Sequence, residues 1–401
     1  MIVRRGSVLG IIIASSVALA GCTSTEFARI PYTASEAAMA EIPGMSNVRF
    51  YGDTSASVFD SFTASTKGVA VKTGPVNYLA LSGGGADGAF GAGLLHGLTE
   101  TNRRPDFTIV SGVSTGALMA PFVFLGPSYD DTLRDLYTGD LGAGLIKNVN
   151  LLNGVFGNAL VENDKLGRLV SKYVDQTIMD RVAEEHRKGR RLFVATTNLD
   201  SQRSVVWDMG AIATSGSPNA LSLFRQVLTA SASIPGLFPP RLVSVEAGGR
   251  EFKEMHVDGG TIQQVFVAPD AVLFGEQKDR PFPQLKNLYV LLNNKVDPVF
   301  QVVDNNVLKL GTRSLSTILK REVHNNVQAA YAYARRHNVG FHMASIEADV
   351  SEEGSNTFDQ AYMKSLYAYG IEQGKGANPW TDAPTMSVRP LASNRKLTAQ
   401  K

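Results

Sequence analysis

Two glycine-bearing turns and one aspartate hold the chemistry that this sequence can do. Gly112-Val113-Ser114-Thr115-Gly116 fits G-x-S-x-G, with an apolar run before it and another after it. Between a strand and a helix, that pattern is a nucleophile elbow. The turn is too tight for side chains at Gly112 and Gly116, and it lifts a serine hydroxyl clear of the sheet. The helix N-terminus behind it favours developing negative charge. Ser82-Gly83-Gly84-Gly85-Ala86-Asp87-Gly88 also lies between a strand-like and a helix-like run. Its consecutive glycines bare backbone N–H groups that can hold an anion or, in a hydrolase, an oxyanion. The same stretch fits the dinucleotide fingerprint Gly83-x-Gly85-x-x-Gly88. That reading asks for an acid at the end of the next strand; Asp106 stands at its start, and its far end runs into the Ser114 elbow. Asp258-Gly259-Gly260 follows a segment from Phe252 to Val257 and can present a carboxylate to a nearby nucleophile. Alone, an Asp-Gly pair is the commonest sort of turn.

Hydropathy patterning supplies the elements that must position these turns. Val76-Asn77-Tyr78-Leu79-Ala80-Leu81 is a short apolar run ending in glycines and reads as a buried strand. Gly88 to Leu98 reads as the helix after it. Phe107-Thr108-Ile109-Val110 predicts a second strand, followed by a helix from Ala117 to Phe124. Leu192-Phe193-Val194-Ala195-Thr196, Val205-Val206-Trp207 and Leu288-Tyr289-Val290-Leu291-Leu292 predict three more. Residues 306–337 carry apolar residues at helical spacing with Lys320, Arg321 and Arg335 between them. Residues 358–373 do likewise around Tyr362, Leu366 and Ile371. Both read as helices packed on the same sheet. Strands alternating with helices argue an α/β layered architecture.

In this order, the three turns resemble the motifs of the patatin-like phospholipase family: a glycine-rich oxyanion motif, a G-x-S-x-G elbow, then a D-G-[GA] motif far downstream. Ala230-Ser231-Ala232-Ser233-Ile234-Pro235-Gly236-Leu237-Phe238-Pro239-Pro240 resembles the family's proline-bearing segment ahead of the aspartate. Val194-Ala195-Thr196-Thr197-Asn198 resembles the strand before that segment. The resemblance covers residues 76–265. It implies a three-layer α/β/α patatin-like sandwich with a mainly parallel central sheet. It also implies a Ser–Asp dyad, with Ser114 as nucleophile and Asp258 as general base. The oxyanion hole would lie within Gly83, Gly84, Gly85, Ala86, Asp87 and Gly88, and Gly259 and Gly260 would complete the aspartate's turn. A serine hydroxyl is a poor nucleophile unless a base takes its proton, and a carboxylate serves as that base once desolvation raises its basicity. The implied course is acylation of Ser114, departure of an alcohol or lysophospholipid, then hydrolysis by water: a serine esterase of the phospholipase A type. It needs no cofactor and no metal. One position departs from the pattern. The family's motif has Arg or Lys where this chain has Asp87. Two consequences stay open: weaker handling of anionic head groups, or an acid that merely suits the helix N-terminus.

Of the six histidines, His324, His337 and His342 follow the aspartate, as a Ser–Asp–His triad in α/β-hydrolase order would require. That fold is the alternative architecture. His256 lies two residues before Asp258 and reads as a neighbour of the site or a satisfied core residue. His96 and His186 precede the acid. Trp207 and Trp380 read as packing residues, and Asp200 and Asp208 lie near turns with no motif around them. Tyr331, Tyr333 and Tyr362 could line an acyl pocket, though aromatics at helical spacing are more often core.

Composition and leader bound the setting. With 44% hydrophobic and 19% charged residues the 401-residue chain can bury a sizeable core. A net charge of +2 gives no footprint for nucleic acid. A single cysteine excludes an internal disulfide and any multi-cysteine metal site. Residues 1–21 read as a secretory leader, with Arg4 and Arg5 ahead of an apolar stretch from Val8 to Ala20 that is too short to span a bilayer. Leu19-Ala20-Gly21-Cys22 resembles the lipobox of bacterial lipoproteins. The resemblance implies cleavage before Cys22, lipid on its thiol and amino group and, with Thr23 next rather than Asp, sorting to the outer membrane. Loss of Arg4 and Arg5 brings the 39 basic residues level with the 37 acidic ones, so attachment would rest on acyl chains. The expected organisation is a signal peptide over 1–21, a tether over 22–70 whose apolar stretch near Ile42-Pro43-Gly44 and Val48-Arg49-Phe50-Tyr51 could dock on the body, a catalytic domain with C-terminal helices over 71–382 and a loose tail over 383–401. The expected function is a membrane-anchored acyl-ester hydrolase on phospholipid or other lipid esters, with membrane lipid as both substrate and anchor. The alternative is an inactive lipoprotein that binds lipid or a partner. Oligomeric state and protein partners are not legible.

Overall fold

A computed structural model describes residues 29–65, 75–140, 145, 164–275, 284–297, 300, 302–347, 350 and 358–384. The leader, Cys22 and nearly all of the expected tail lie outside them. The strands are β1 (Arg49–Tyr51), β2 (Val76–Leu81), β3 (Ile109–Val113), β4 (Arg191–Asn198), β5 (Arg203–Asp208), β6 (Arg241–Ala247), β7 (Arg250–Asp258), β8 (Leu285–Lys295) and β9 (Gly340–Ile346). The helices are α1 (Ala34–Met39), α2 (Ala56–Ser65), α3 (Gly88–Glu100), α4 (Thr115–Leu125), α5 (Asp130–Thr138), α6 (Lys165–Tyr173), α7 (Gln176–Arg187), α8 (Met209–Thr214), α9 (Ala220–Ser231), α10 (Asp270–Leu273), α11 (Val307–Arg336) and α12 (Gln360–Lys375).

The strands form one sheet in the order β1-β5-β4-β3-β2-β8-β9, with β7 joined to β4 and β6 to β7. Its middle is parallel: β2 pairs with β3 and β8, β3 with β4, and β8 with β9 in the same sense. Antiparallel pairs finish one side, β1 on β5, β5 on β4 and the β6–β7 hairpin on β4. Side chains alternate between two cores, because successive residues of a strand face opposite ways. On β2, Leu79 and Leu81 join the core under α3, α4, α7 and α9, while Tyr78 and Ala80 join the core under the later half of α11. The result is the three-layer α/β/α arrangement with a mainly parallel sheet. β6 and β9 stand where hydropathy runs alone marked no strand. β3 sits three residues deeper into the glycine turn than its apolar run, so the strand leads straight into Ser114.

Within the stretch expected as a tether, the apolar residues near 42–51 dock on the body, and the docking extends to helices on either side. β1 adds an edge strand to β5, and α1 and α2 flank it. Arg49 is the reason. Its guanidinium pairs with Glu254, whose side chain is fully buried, and donates to Ala40 O at 2.9 Å. It also lies 5.3 Å from the Trp207 ring centre. Removing one partner of such a pair leaves a buried charge uncompensated. Arg49→Ala should therefore lose about 3 kcal/mol of folding stability, read as a lower urea midpoint at unchanged slope. Unchanged stability would make β1 a passive strap.

Candidate active site

Strand register brings the nucleophile and the acid together. β3 runs along β4 as far as Val113 opposite Ala195. β7 comes the other way along the same side of β4, with Asp258 opposite Thr196. The two strand ends meet at adjacent β4 positions, so Ser114 and Asp258 are forced into contact. Ser114 Oγ donates to Asp258 Oδ2 at 2.6 Å. Both residues are 5% exposed.

Ser114 has φ 56° and ψ −124°, a conformation that L-residues avoid and that costs about 1–3 kcal/mol. Neighbours hold it there. Ser114 N donates to Ser231 Oγ at 3.0 Å, and Ser231 Oγ donates to Ala195 O at 2.6 Å. Gly116 packs against the end of β2, where a Cβ would come within 2.5 Å of Leu81 O. Gly112 faces Gly116 O across the turn. Tyr137 OH donates to Thr115 O at 2.8 Å.

Asp258 is oriented from both sides. Its amide donates to Ser233 O at 3.0 Å, and its Oδ1 accepts from Gly260 N at 2.7 Å. Gly259 lies against Ala195 O, which leaves no room for a side chain. Burial raises the Asp258 pKa from 3.8 to about 7, opposed by the hydrogen bonds from Ser114 and Gly260. The carboxylate is thus a far better proton acceptor than an exposed aspartate.

The glycine loop follows β2 and borders the serine. A Cβ at Gly83 would sit 3.2 Å from Ser114 Cβ and 2.7 Å from Gln264 Oε1. Only part of the loop is available to a ligand. The Gly83 amide donates to Gln264 O, the Asp87 amide to Gly84 O, and the Gly88 amide to Ala86 O and Gly85 O. Among the described residues, no partner is recorded for the amides of Gly84, Gly85 and Ala86, so the six-residue span narrows to these three. Asn293 and Asn294 brace the loop by donating to Ser82 O at 3.0 Å and Gly83 O at 2.7 Å. Asp87 makes no side-chain cap to α3; its carboxylate accepts from Tyr362 OH at 2.7 Å.

No histidine among the described residues bonds to Ser114 or Asp258. His256 is buried between Thr196 Oγ1 at 2.9 Å and Glu254 at 3.1 Å, and burial lowers its pKa. It is a satisfied core residue one layer from the dyad. His96 bonds Tyr367, His186 lies beside Asp208, His337 packs on Tyr333 and His342 on Tyr289; His324 lies on α11. Asp200 bonds Arg29 and Tyr32, and Asp208 caps α8, both away from the serine. Trp207 is buried and donates to Thr196, and Trp380 packs on Tyr289. Tyr333 is core, Tyr331 packs on Phe341, and of the three tyrosines only Tyr362 reaches the glycine loop. No group of three or more His, Cys, Asp or Glu among the described residues could hold a metal.

Residues 79–270 match the family model described as patatin-like phospholipase. The chain carries a patatin-like phospholipase domain. The solved structure of VipD from Legionella pneumophila is similar at 13% identity over 75% of this chain and 67% of that one, TM-score 0.36. The type III effector ExoU is similar at 14% over 75% of this chain, TM-score 0.30, and the chain spans 53% of its length. The complex of SpcU with ExoU from Pseudomonas aeruginosa matches at 12% identity over 76% of this chain and 53% of that one, TM-score 0.25. No curated protein sequence matches. The family model spans all three motifs and the segments between them, from within β2 to the first residue of α10.

Ser231, Ser233, Gln264, Asn293 and Asn294 support the patatin-like site without belonging to its motifs. The sequence signal for the first pair was the small-residue run ahead of Pro235, and for the last pair two amides ending the apolar run of β8. The raised pKa of Asp258 sets a stability test. Folded, the carboxyl keeps its proton up to about pH 7; its ordinary pKa is 3.8. Its favourable contribution is complete below the lower value and is lost as pH rises through the higher one. Asp258→Asn should gain stability relative to wild type as pH is raised from 4 to 8, read from paired urea midpoints. A difference independent of pH would mean the carboxyl titrates normally.

Proposed function

We propose that the domain is a serine acyl-ester hydrolase acting on phospholipid or related lipid esters through Ser114 and Asp258. The observation that carries this reading is the 2.6 Å hydrogen bond from Ser114 Oγ to a buried, uncompensated carboxylate. Ser114 Oγ attacks the ester carbonyl carbon and its proton passes to Asp258 Oδ2. The carbonyl oxygen, now anionic, is received by the unpaired amides of Gly84, Gly85 and Ala86. The alcohol leaves with the proton from Asp258, and an acyl group remains on Ser114. Water then attacks the acyl carbon, with Asp258 again taking a proton, and the fatty acid departs as Ser114 recovers its hydrogen.

The lipid class follows from the patatin-like phospholipase domain and from Cys22, whose acylation would hold the enzyme at a membrane. The lipobox and Thr23 favour the outer membrane. An inactive lipid- or partner-binding lipoprotein would have no need of an intact dyad, so the contact between Ser114 and Asp258 favours an active one.

Wild type should hydrolyse phospholipid in mixed micelles and a short-chain chromogenic ester. Ser114→Ala should lose at least about a thousandfold and Asp258→Asn at least about a hundredfold, both folded. Labelling of Ser114 by a fluorophosphonate should rise tenfold per pH unit below about 7 and level off above it, because Asp258 must be ionised to accept the proton. A well-folded wild type with neither turnover nor label would overturn the assignment.

Membrane attachment has its own check. The wild-type chain should leave outer membranes only with detergent, whereas Cys22→Ser should come off in a carbonate or high-salt wash. A variant that still needs detergent would remove Cys22 as the anchor.

A further inference from the structure

α11 is twice as long as the sheet it crosses. It connects β8 to β9, which are parallel neighbours, so it must run back from the C-terminal edge of the sheet to the N-terminal edge. The C-terminal edge is the one that carries Ser114 and the glycine loop. Thirty helical residues span about 45 Å, whereas the seven residues of β9 span about 23 Å. The surplus lies at the active-site edge. Core contacts begin only at Val323 and continue through Val327, Ala330 and Tyr333. Asn326 marks the edge itself, since its Oδ1 accepts from the amides of Gln264 and Val265, beside Gly83 and Gly260. The turns from 307 to 322 therefore project some 24 Å past the site.

This projecting half is amphipathic and unpartnered on its apolar side. Val307 is 88% and Ile318 64% exposed, and Leu310 and Leu315 are exposed too. At 100° per residue, Val307, Leu315 and Ile318 share an arc of about 80°, and Lys309, Arg313 and Lys320 lie on a narrow arc opposite, of which Lys309 is exposed, Arg313 half-buried and the Lys320 ammonium buried. The apolar arc is rotated by about 130° from the face that Val323, Val327 and Ala330 turn to the core, so it is not a continuation of it. Phe300, 92% exposed, and Val302 precede the helix. Residues 300–322 hold four basic and two acidic side chains. One acid, Asp304, pairs with Lys309.

We propose that the first half of α11 is an interfacial helix that seats the catalytic edge on a phospholipid bilayer containing anionic lipid. Exposed aliphatic residues on one side and placement beside the site fit a lipid surface: the apolar arc enters the acyl region, with the exposed Lys309 and Arg321 left at head-group level, while the half-buried side with the buried Lys320 ammonium stays against the protein. A protein partner would have no reason to be placed where a lipid must enter. The helix acts after Cys22, turning a tethered domain so that Ser114 faces its substrate. The choice of lipid as the occupant and the activity arm of the test rest on the hydrolase reading; the two labels test the docking independently of it.

Cys22 is the chain's single cysteine, so Cys22→Ser gives a background for site-specific labelling. Ile318→Cys, or Lys309→Cys on the basic arc, is added and labelled with the environment-sensitive fluorophore NBD. On vesicles of phosphatidylcholine with phosphatidylglycerol, the label at 318 should brighten severalfold, shift to the blue and be quenched by lipid carrying a nitroxide on its acyl chain. The label at 309 should do none of these, and phosphatidylcholine alone should give a smaller response at 318. A label at 318 that ignores every vesicle overturns the proposal. So does brightening that tracks protein concentration without lipid, which would mean a second copy covers the face. A label already shielded before lipid is added would mean that this chain covers it. In the activity arm, Val307, Leu310, Leu315 and Ile318 are all changed to Ser. Hydrolysis of vesicle phospholipid should fall by at least about tenfold, with the soluble short-chain ester unchanged within about twofold. Equal loss on both substrates would contradict an interfacial role. Should the chain hydrolyse neither substrate, the hydrolase reading fails and the two labels still decide the docking.

Discussion

Asp258 is held out of water and, among the described residues, has two donors on its carboxylate, the hydroxyl of Ser114 and the amide of Gly260. Among the described residues, no cation offsets its charge. Much of the structure can be read as the means of keeping it so. β4 is the common rail: β3 occupies its first five residues and β7 its last three, both on one side. Because the two strands arrive from opposite directions, their ends abut, and the residues just past those ends have nowhere to go but toward each other. α9 closes the arrangement from one face, through Ser231 on the nucleophile's backbone and Ser233 on the acid's. The backbone strain at Ser114 is sustained by this crowding.

A second consequence is that the site has no use for a histidine. A triad places an imidazole between acid and serine, which separates them by the width of a ring. Here the serine and carboxylate touch, and burial rather than an imidazole supplies the basicity. His256, the histidine nearest in sequence, is spent on Glu254 and Thr196, where it helps tie the β6–β7 hairpin to β4 and, through Arg49, to the edge strand β1. The N-terminal stretch is thereby part of the scaffold that aligns β7. Chain that looks like a linker in composition ends up buttressing the catalytic strand.

The glycine loop shows how much of a motif is structural. Of its six positions, three amides are already committed within the protein, and those commitments shape the turn that leaves the other three bare. Asp87, the position that departs from the family pattern, is engaged by Tyr362 of α12. That helix packs tightly on α3 through facing glycines, Gly93 and Gly97 against Gly370 and Gly374. The C-terminal part of the chain is therefore coupled to the loop through both backbone packing and a side-chain bond.

By itself the sequence determined the parts of this protein whose chemistry is local. A tight turn between an apolar strand and an apolar helix needs Gly112 and Gly116, a bare backbone needs Gly83 to Gly85, and an alternation of strand and helix needs a layered parallel sheet; each follows from a few neighbouring residues. What only the tertiary structure decided is non-local. That Asp258 rather than Asp200 or Asp208 reaches Ser114 depends on the register of β7 on β4, across some sixty residues of chain. That its proton is held near neutrality depends on burial by many elements at once. That Arg49 belongs to the core depends on a glutamate two hundred residues away, which no window on the sequence can contain. The projecting half of α11 is the intermediate case. Its amphipathic spacing is written locally, yet only comparison with the depth of the sheet reveals that it overhangs the site.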